Sequence, residues 1–284
     1  MKKEQTDPEY GSDFLLKTGK SKYQLLTTHC FIYISMSKHA RLSHIIKPDG
    51  KTVIIPMDHG VSDGPMQGLA NVAPTLEAIK KGGADAVILH KGIVKHNHEV
   101  LAGLPYLIHV SASSSLGVVL KKVLIADVKE CMELGASGVS IHINLGNEYE
   151  PYMLEDLGRI ARDCEREGMP LLAMMYVRDM KDGSIINDTS AKSVVHAARI
   201  AYELGADIVK VNYTGDPGSF AAVIAGCKIP VVIAGGSKQT HDEFVKTVKD
   251  ALCAGAAGVS CGRNVFQTED VVATVREVVK VVHG

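Results

Sequence analysis

Four short stretches of this chain share one wording: GGADAV at 82–87, LGASGV at 134–139, LGADIV at 204–209 and AGAAGV at 254–259. In each, an amphipathic run ends on glycine and passes within a few residues into an apolar run of strand length. Glycine tolerates the left-handed backbone that closes a helix, so each stretch reads as a helix end feeding a strand. Gly82, Gly135, Gly168, Gly205 and Gly255 close helices in this reading. The recurrence defines a βα unit of roughly 30 residues.

Eight strand candidates carry that unit along the chain: TVIIPMD (52–58), AVILH (86–90), YLIHVSA (106–112), GVSIHIN (138–144), PLLAMMY (170–176), IVKVNY (208–213), VVIAGG (231–236) and GVSCGR (258–263). Between them lie helical patterns. Val194, Ala197, Ala198, Ala201 and Leu204 fall on one helical face, and so do Val271, Val275, Val278 and Val282. ARLSHII (40–46) reads as a short helix, and PDG (48–50) as the turn before the first strand. Eight such strands, each leading to a helix, are the grammar of a (β/α)₈ barrel. A doubly wound open sheet shares the alternation, but no GxGxxG follows the first strand, and an α/β barrel over 36–284 is the expected fold. The first 35 residues show no sustained period and are read as an N-terminal extension, a tail or non-native segment outside the barrel.

Charge and cysteine usage narrow the function classes. Lys+Arg 31 against Asp+Glu 32 gives no basic excess for nucleic acid or an anionic membrane. No apolar run approaches the ~18 residues of a membrane helix. The six cysteines form no CxxC pair, against a zinc ribbon or a disulfide scaffold, and a reducing cytoplasm is the expected location.

In the sixth strand candidate a lysine interrupts an apolar run. A buried ammonium costs several kcal/mol unless it is paired or gives up its proton. Period two sets Lys210 and Asn212 on one face and Val209 and Val211 on the other. A desolvated lysine is the nucleophile that forms a Schiff base with a carbonyl substrate. The competing reading is that Lys210 closes a buried ion pair or reaches the surface from the strand end.

Barrel enzymes do their chemistry at the C-terminal strand ends. Here those ends carry Asp58 and His59, His90 and Lys91, Ser111 and Ser113, His142 and Asn144, Tyr176 and Arg178, then Lys210, Asn212 and Tyr213. Gly235, Gly236 and Ser237 follow the seventh strand, and Gly262 and Arg263 the eighth. Glycines let backbone N–H groups approach a phosphate, and Arg263 adds a guanidinium fork, so the last two loops read as a phosphate site. Adjacent strand residues face opposite ways, which selects Asp58 rather than His59 as the inward group. Asp58 and Tyr176 are candidate acid/base groups, with rim packing the alternative for Tyr176. A second chemistry is a divalent-metal site built from His59, His90, His142 and Asp58. A barrel that binds a sugar phosphate without turnover is a third reading.

Six blocks in order, PMDHGVSDGP (56–65), HKGIV (90–94), MMYVR (174–178), DIVKVNYTGD (207–216), VVIAGGSK (231–238) and GVSCGRNVFQ (258–267), resemble the archaeal-type class I aldolases. Within that family they look most like the 2-amino-3,7-dideoxy-D-threo-hept-6-ulosonate synthase branch. The resemblance runs from about Met36 to the end. It implies a (β/α)₈ barrel, a Schiff-base lysine at Lys210, acid/base roles at Asp58 and Tyr176, and no metal or other cofactor. It also implies substrate and phosphate contacts at Gly235, Gly236, Gly262, Arg263, Lys238, His59 and Arg178. The implied reaction transfers a unit of a phosphorylated ketose to L-aspartate semialdehyde, in aromatic amino acid biosynthesis. Fructose-bisphosphate aldolases of class I share the lysine and much of the phosphate site, and are the alternative. A thiolase relative differs at the tyrosine block, so Tyr176 favours aldol chemistry. The resemblance further implies a homo-oligomeric ring, commonly a decamer of two pentamers. Two departures stand out: Val177 where a proline is expected, and Val211–Asn212 in place of a small polar pair.

Overall fold

The structure, a computed structural model, describes residues 36–284. The extension expected over 1–35 lies outside the described residues. Among the described residues eleven strands occur in chain order: β1 (Thr52–Pro56), β2 (Ala86–Leu89), β3 (Tyr106–His109), β4 (Ser111–Ala112), β5 (Val123–Leu124), β6 (Gly138–Leu145), β7 (Leu171–Lys181), β8 (Ser184–Asn187), β9 (Ile208–Val211), β10 (Val231–Ala234) and β11 (Gly258–Ser260). Eight of them close a ring, β1-β2-β3-β6-β7-β9-β10-β11 and back to β1, with every pairing parallel. Helices cover the outside, and the chain is a (β/α)₈ barrel, as its alternation demands.

The four repeated stretches make the same two bonds. The helix end is sealed by Ala84 N–H on Ile79 O, Ala136 on Cys131, Ala206 on Ala201 and Ala256 on Ala251. The next residue then donates to the first turn of the neighbouring strand: Asp85 N–H to Val53 O at 3.0 Å, Ser137 to Tyr106 at 2.9 Å, Asp207 to Leu171 at 2.9 Å and Ala257 to Val231 at 2.8 Å. In two of the four the side chain answers as well. Asp85 Oδ2 accepts the Val53 N–H at 2.6 Å, and Asp207 Oδ2 accepts the Leu171 N–H at 2.8 Å. In the first stretch the left-handed residue is Gly83, at φ +91°, not Gly82. Gly82 is needed for space, because a Cβ there would sit 2.5 Å from the Cβ of Val275.

Strand alternation splits the core in two. Val53, Ile55, Val209 and Val211 face outward against helices such as Val271–His283, which buries Val275, Val278 and Val282. Ile54, Ile88, Leu107, Leu172, Ile208 and Val232 face inward and are fully buried. Helix Lys38–Ile45 plugs the bottom of the barrel, with Ile45 joining the inner cluster and its carbonyl accepting the Thr52 hydroxyl at 2.7 Å. Apolar packing thus fills the lower interior, and the upper interior is left to polar groups.

Several expectations are corrected in detail. Leu204 is 38% exposed, because its helix ends at Glu203 and the chain turns before that face is reached again. β1 stops at Pro56, so Asp58 is no longer in a strand. The third strand candidate breaks after His109; β4 leaves the barrel to pair antiparallel with β5. β7 runs beyond Tyr176 to Lys181 and pairs antiparallel with β8, forming a hairpin above the mouth.

At the chain end His283 bridges two acids, Nδ1 to Asp49 Oδ2 at 2.7 Å and Nε2 to Asp85 Oδ2 at 2.9 Å. Partial burial pushes its pKa down, but the two carboxylates outweigh that and raise it above 6.5. A raised histidine pKa adds stability that is fully present below its unfolded value and is lost as pH rises through the folded one. His283→Ala should therefore cost stability near pH 5.5 and much less near pH 9. Urea unfolding of both proteins at the two pH values measures the difference.

Candidate active site

Lys210 sits inside the barrel, 6% exposed, with Met174 and Val232 as its register partners on β7 and β10. Its neighbours Val209 and Val211 are fully buried on the outer face. The period-two expectation places these side chains where they lie. Lys210 enters no ion pair among the described residues, and its side chain opens into a cavity of about 420 Å³ at the C-terminal strand ends. The same cavity is lined by Asp58, His59, Tyr176, Arg178, Arg263 and the glycines of the last two loops.

Asp58 caps the short helix His59–Asp63 from a helical backbone position, φ −84° and ψ −1°. Strand alternation no longer applies there, so Asp58 and His59 both reach the cavity, against the expectation that only one would. Burial pushes the Asp58 carboxyl up, but His109, His59 and Lys210 outweigh it and hold the pKa well below the usual carboxylate range. His109 is itself held down to about 3, by burial first. His109 Nε2 lies 3.7 Å from Asp58 Oδ2, and its Nδ1 lies 2.8 Å from Ser140 Oγ. His90 Nδ1 donates to His109 O at 3.1 Å, so the histidines form a buried wall beside the carboxylate.

Tyr176 stands one inward position above Met174, next to Lys210, and is 6% exposed. Arg178 lies over its ring, 4.2 Å from the centroid, and His142 packs 4.9 Å away. Asn144 Nδ2 donates to Leu120 O at 2.8 Å, which turns its Oδ1 to accept from His142 Nε2, also at 2.8 Å. Burial first, then Lys122 and Arg178, hold the His142 pKa well below 6.5.

The last two loops interlock. Gly235 must be glycine because a Cβ would lie 2.8 Å from the Cβ of Cys261, and Gly262 because one would lie 2.7 Å from the His59 ring. Arg263 donates to Gly236 O at 3.0 Å. Asn264 staples the loops further, giving N–H bonds to Gly235 O at 2.7 Å and Ser237 O at 3.2 Å, and accepting from Gln239 N–H at 2.9 Å.

Not every strand-end residue joins the site. Lys238 points to Gln267 O at 3.1 Å and does not line the cavity. Lys91 turns outward to Glu130 at 2.8 Å, and Tyr213 packs on Phe220. Among the described residues no group of three or more His, Cys, Asp or Glu is placed to hold a metal ion, so His59, His90, His142 and Asp58 do not converge as the metal reading requires. Three lining or supporting residues were missed in the sequence. His109 shares the face of Leu107 and was readable from alternation. Asn264 lies inside a motif that drew attention only to its glycine and arginine. Lys122 sits in a connector with no period at all. The arrangement as a whole offers a buried amine, an ionised carboxylate, a phenol and an arginine beside close-packed glycines, which suits covalent carbonyl chemistry on an anionic substrate.

Comparison with known proteins agrees with that chemistry. The family model described as DeoC/LacD family aldolase matches residues 52–268. The chain is 45% identical over 256 residues to 2-amino-3,7-dideoxy-D-threo-hept-6-ulosonate synthase 1 of Archaeoglobus fulgidus, covering 89% of this chain and 94% of that protein. It is 38% identical over 247 residues to the synthase of the same name from Halobacterium salinarum, covering 87% and 91%. An archaeal fructose-1,6-bisphosphate aldolase solved with its catalytic lysine bound to the carbinolamine intermediate superposes at TM-score 0.80, with 32% identity, covering 87% of this chain and all of that one. With a matching family model over most of the barrel and relatives at these identities, the chain belongs to the DeoC/LacD aldolase family.

Proposed function

We propose that the protein is a lysine-dependent aldolase that transfers a ketose-derived unit to L-aspartate semialdehyde, giving 2-amino-3,7-dideoxy-D-threo-hept-6-ulosonate. The observation that carries this is Lys210, buried in the barrel mouth without an ion-pair partner among the described residues and facing the same cavity as Asp58 and Tyr176. The synthases it resembles at 45% and 38% identity supply the choice of product.

The chemistry follows from the residues in place. Lys210 Nζ adds to the ketose carbonyl, and loss of water from the carbinolamine leaves an imine. A base takes the proton of the hydroxyl β to the imine carbon, the carbon–carbon bond breaks, and its electron pair moves into the imine to form an enamine while an aldehyde departs. The enamine carbon then attacks the acceptor aldehyde, whose oxygen gains a proton, and water releases the product from Lys210. Asp58, held ionised, is the group suited to accept protons, and Tyr176 the one suited to supply them while the carbinolamine forms and collapses. Arg263 with Gly235, Gly236 and Gly262 holds a substrate phosphate. His59 and Arg178 complete the substrate contacts. Lys238, turned to the rim, has no part in this reading. The enzyme would act in the cytoplasm as a homo-oligomer, a decamer by resemblance. A single species at monomer mass in light scattering would remove that last point.

Borohydride reduction with the phosphorylated ketose should fix an adduct on Lys210 by peptide mass mapping, and Lys210→Ala should trap nothing and turn over nothing. Full activity in that variant would sink the reading. Tyr176→Phe and Asp58→Asn should each lose about 10²–10⁴-fold in rate, the span typical of general acid–base groups. Tyr176→Phe should still trap some ketose, because the nucleophile survives. Arg263→Ala should act on KM for the ketose with little change in kcat, since a phosphate contact is made in the ground and transition states alike. Product formation with and without L-aspartate semialdehyde, against fructose 1,6-bisphosphate cleavage, separates the synthase from the fructose-bisphosphate aldolase reading.

A further inference from the structure

One buried hydroxyl in the cavity has no part in the reaction just described. Ser260 ends β11, is 1% exposed and lines the cavity together with Lys210. Its Oγ is buried and has no hydrogen-bond partner among the described residues. Other buried hydroxyls of the barrel are engaged. Thr52 donates to Ile45 O at 2.7 Å, Ser140 Oγ meets His109 Nδ1 at 2.8 Å, and Ser111 Oγ accepts the His142 N–H at 2.9 Å. A hydroxyl taken out of water without a partner destabilises the fold, and alanine would occupy nearly the same space without that cost. Ser260 therefore points to a partner that the free enzyme does not present. Because Oγ is closed to solvent, that partner comes from a side chain next to it that changes during the reaction.

The barrel brings Ser260 level with Lys210. Lys210 is the register partner of Val232 on β10, and Val232 that of Gly258 on β11. Strands in an eight-stranded ring tilt so that level positions advance about one residue per strand, and side chains from alternate strands share a layer. Two strands on from Lys210, the level residue is thus Ser260 and not Gly258. The same count in the other direction, through Met174 on β7 and His142 on β6, arrives at Ser140. Lys210 stands between two serines, of which Ser140 is held by His109 and Ser260 is free. The residues directly beside it, Met174 and Val232, are apolar.

The lysine nitrogen changes its donors as the reaction proceeds. As an ammonium it has three and faces the open cavity. Loss of water from the carbinolamine, with uptake of one proton, leaves a trigonal cationic nitrogen that holds Cε, the ketose carbon and a single hydrogen in one plane. With the ketose in the cavity, that N–H turns to the wall, where an acceptor is needed. The hydrogen stays on nitrogen when the electron pair of the broken carbon–carbon bond moves in, and while the enamine attacks the acceptor aldehyde. One acceptor therefore serves both halves of the transfer. We propose that Ser260 is a further catalytic residue, whose Oγ accepts the N–H of the imine on Lys210 and holds that nitrogen protonated as the electron sink. The inference rests on the aldolase reading, and its test separates the two.

Four of the seven carbons of the proposed product come from L-aspartate semialdehyde, and the other three, as a free ketone, are hydroxyacetone. Hydroxyacetone is therefore a probe that forms the imine without any cleavage step. Borohydride, which reduces neutral and protonated imines, should fix it on Lys210 in wild type and in Ser260→Ala alike. Cyanoborohydride, which reduces the protonated form, should fix it about 10-fold or more slowly in Ser260→Ala at about pH 8.5, the loss expected for a hydrogen bond to a charged group, with the difference closing at about pH 6. In transfer from hydroxyacetone to L-aspartate semialdehyde, kcat should fall by a similar factor with KM little changed. The fall of kcat at high pH should also begin about one unit lower, because loss of the acceptor lowers the imine pKa. Ser260→Cys, of similar volume but a weak acceptor, should resemble Ser260→Ala. Urea unfolding of free Ser260→Ala should show no loss of stability. Wild-type cyanoborohydride rates and pH profile in both variants overturn the proposal, and so does destabilisation of free Ser260→Ala, since the hydroxyl would then have a partner already. An adduct on Lys210 with either outcome leaves the aldolase reading standing. No adduct on Lys210 in wild type removes that reading and this inference with it.

Discussion

The bond from the residue before a strand to the first carbonyls of its neighbour is the contact on which the rest of the barrel depends. It recurs at Asp85, Ser137, Asp207 and Ala257, and in each case it fixes the register of two parallel strands at the moment the chain leaves a helix. Parallel pairing has no hairpin to set its register, so the information must come from the helix–strand junction. A slip by one residue would exchange the inner and outer faces of the strand. For β9 that slip would turn Lys210 toward the helices and Val209 and Val211 into the cavity. Register set at the bottom of the barrel therefore decides chemistry at the top. The aspartates at two of the junctions reinforce the choice by accepting a neighbouring strand N–H themselves.

Above that base the interior changes character within a few residues. Ile54, Ile88, Leu107, Leu172, Ile208 and Val232 make a fully buried apolar floor, closed from below by Ile45. The next inward level holds His109 and Lys210, with Tyr176 one step higher on β7, all less than 9% exposed. A floor of this kind keeps water from reaching the site through the barrel, and it strengthens each charge interaction above it. The consequence is visible in the titration of the groups. Burial pushes the pKa values of the wall histidines down, while for Asp58 the neighbouring imidazoles and Lys210 outweigh the same burial and hold the carboxyl low. One environment thus separates the protonation states of its members, which is what acid–base division of labour requires.

How much of this was legible in the sequence depended on whether a local rule was in force. Fold and strand order followed from glycine-closed helices and apolar runs, because a βα unit repeats the same requirements each time. Lys210 was legible because alternation holds inside a strand. The exclusion of His59 from the mouth failed for the converse reason: Pro56 ends β1, and beyond it the chain turns into a helix cap where alternation says nothing. Leu204 failed likewise, one residue past the end of its helix. The two antiparallel hairpins, β4–β5 and β7–β8, went unread. β4 and β5 are two residues each, and β8 is exposed along its whole length, so neither carries the burial pattern that marks a strand. Lys122 is brought to the cavity by the first of these hairpins and Arg178 by the second. A cation whose position depends on such a segment leaves no periodic signal.

The departures from the family pattern can now be weighed by where they point. Val211 is fully buried on the outer face of β9, so its exchange for a small polar residue bears on packing against helices and not on substrate. Val177 is also turned outward: it packs with the outer core, close enough to Gly146 that a Cβ there would lie 3.3 Å from its Cγ1. Its carbonyl accepts the Asp188 N–H at 2.9 Å, which anchors the return of the β7–β8 hairpin. A proline would leave that carbonyl in place but fix φ and remove the N–H at a position paired with Leu145. The change at 177 therefore acts on the hairpin that carries Arg178 and Asn187, not on any atom the substrate touches. Asn212 alone faces the cavity. It lies two residues beyond Lys210 on the same strand face, where a carboxamide can both donate to and accept from the oxygens flanking the reacting carbonyl. The substitution pattern thus places its single direct change to the substrate's surroundings next to the nucleophile, and its indirect one behind Arg178.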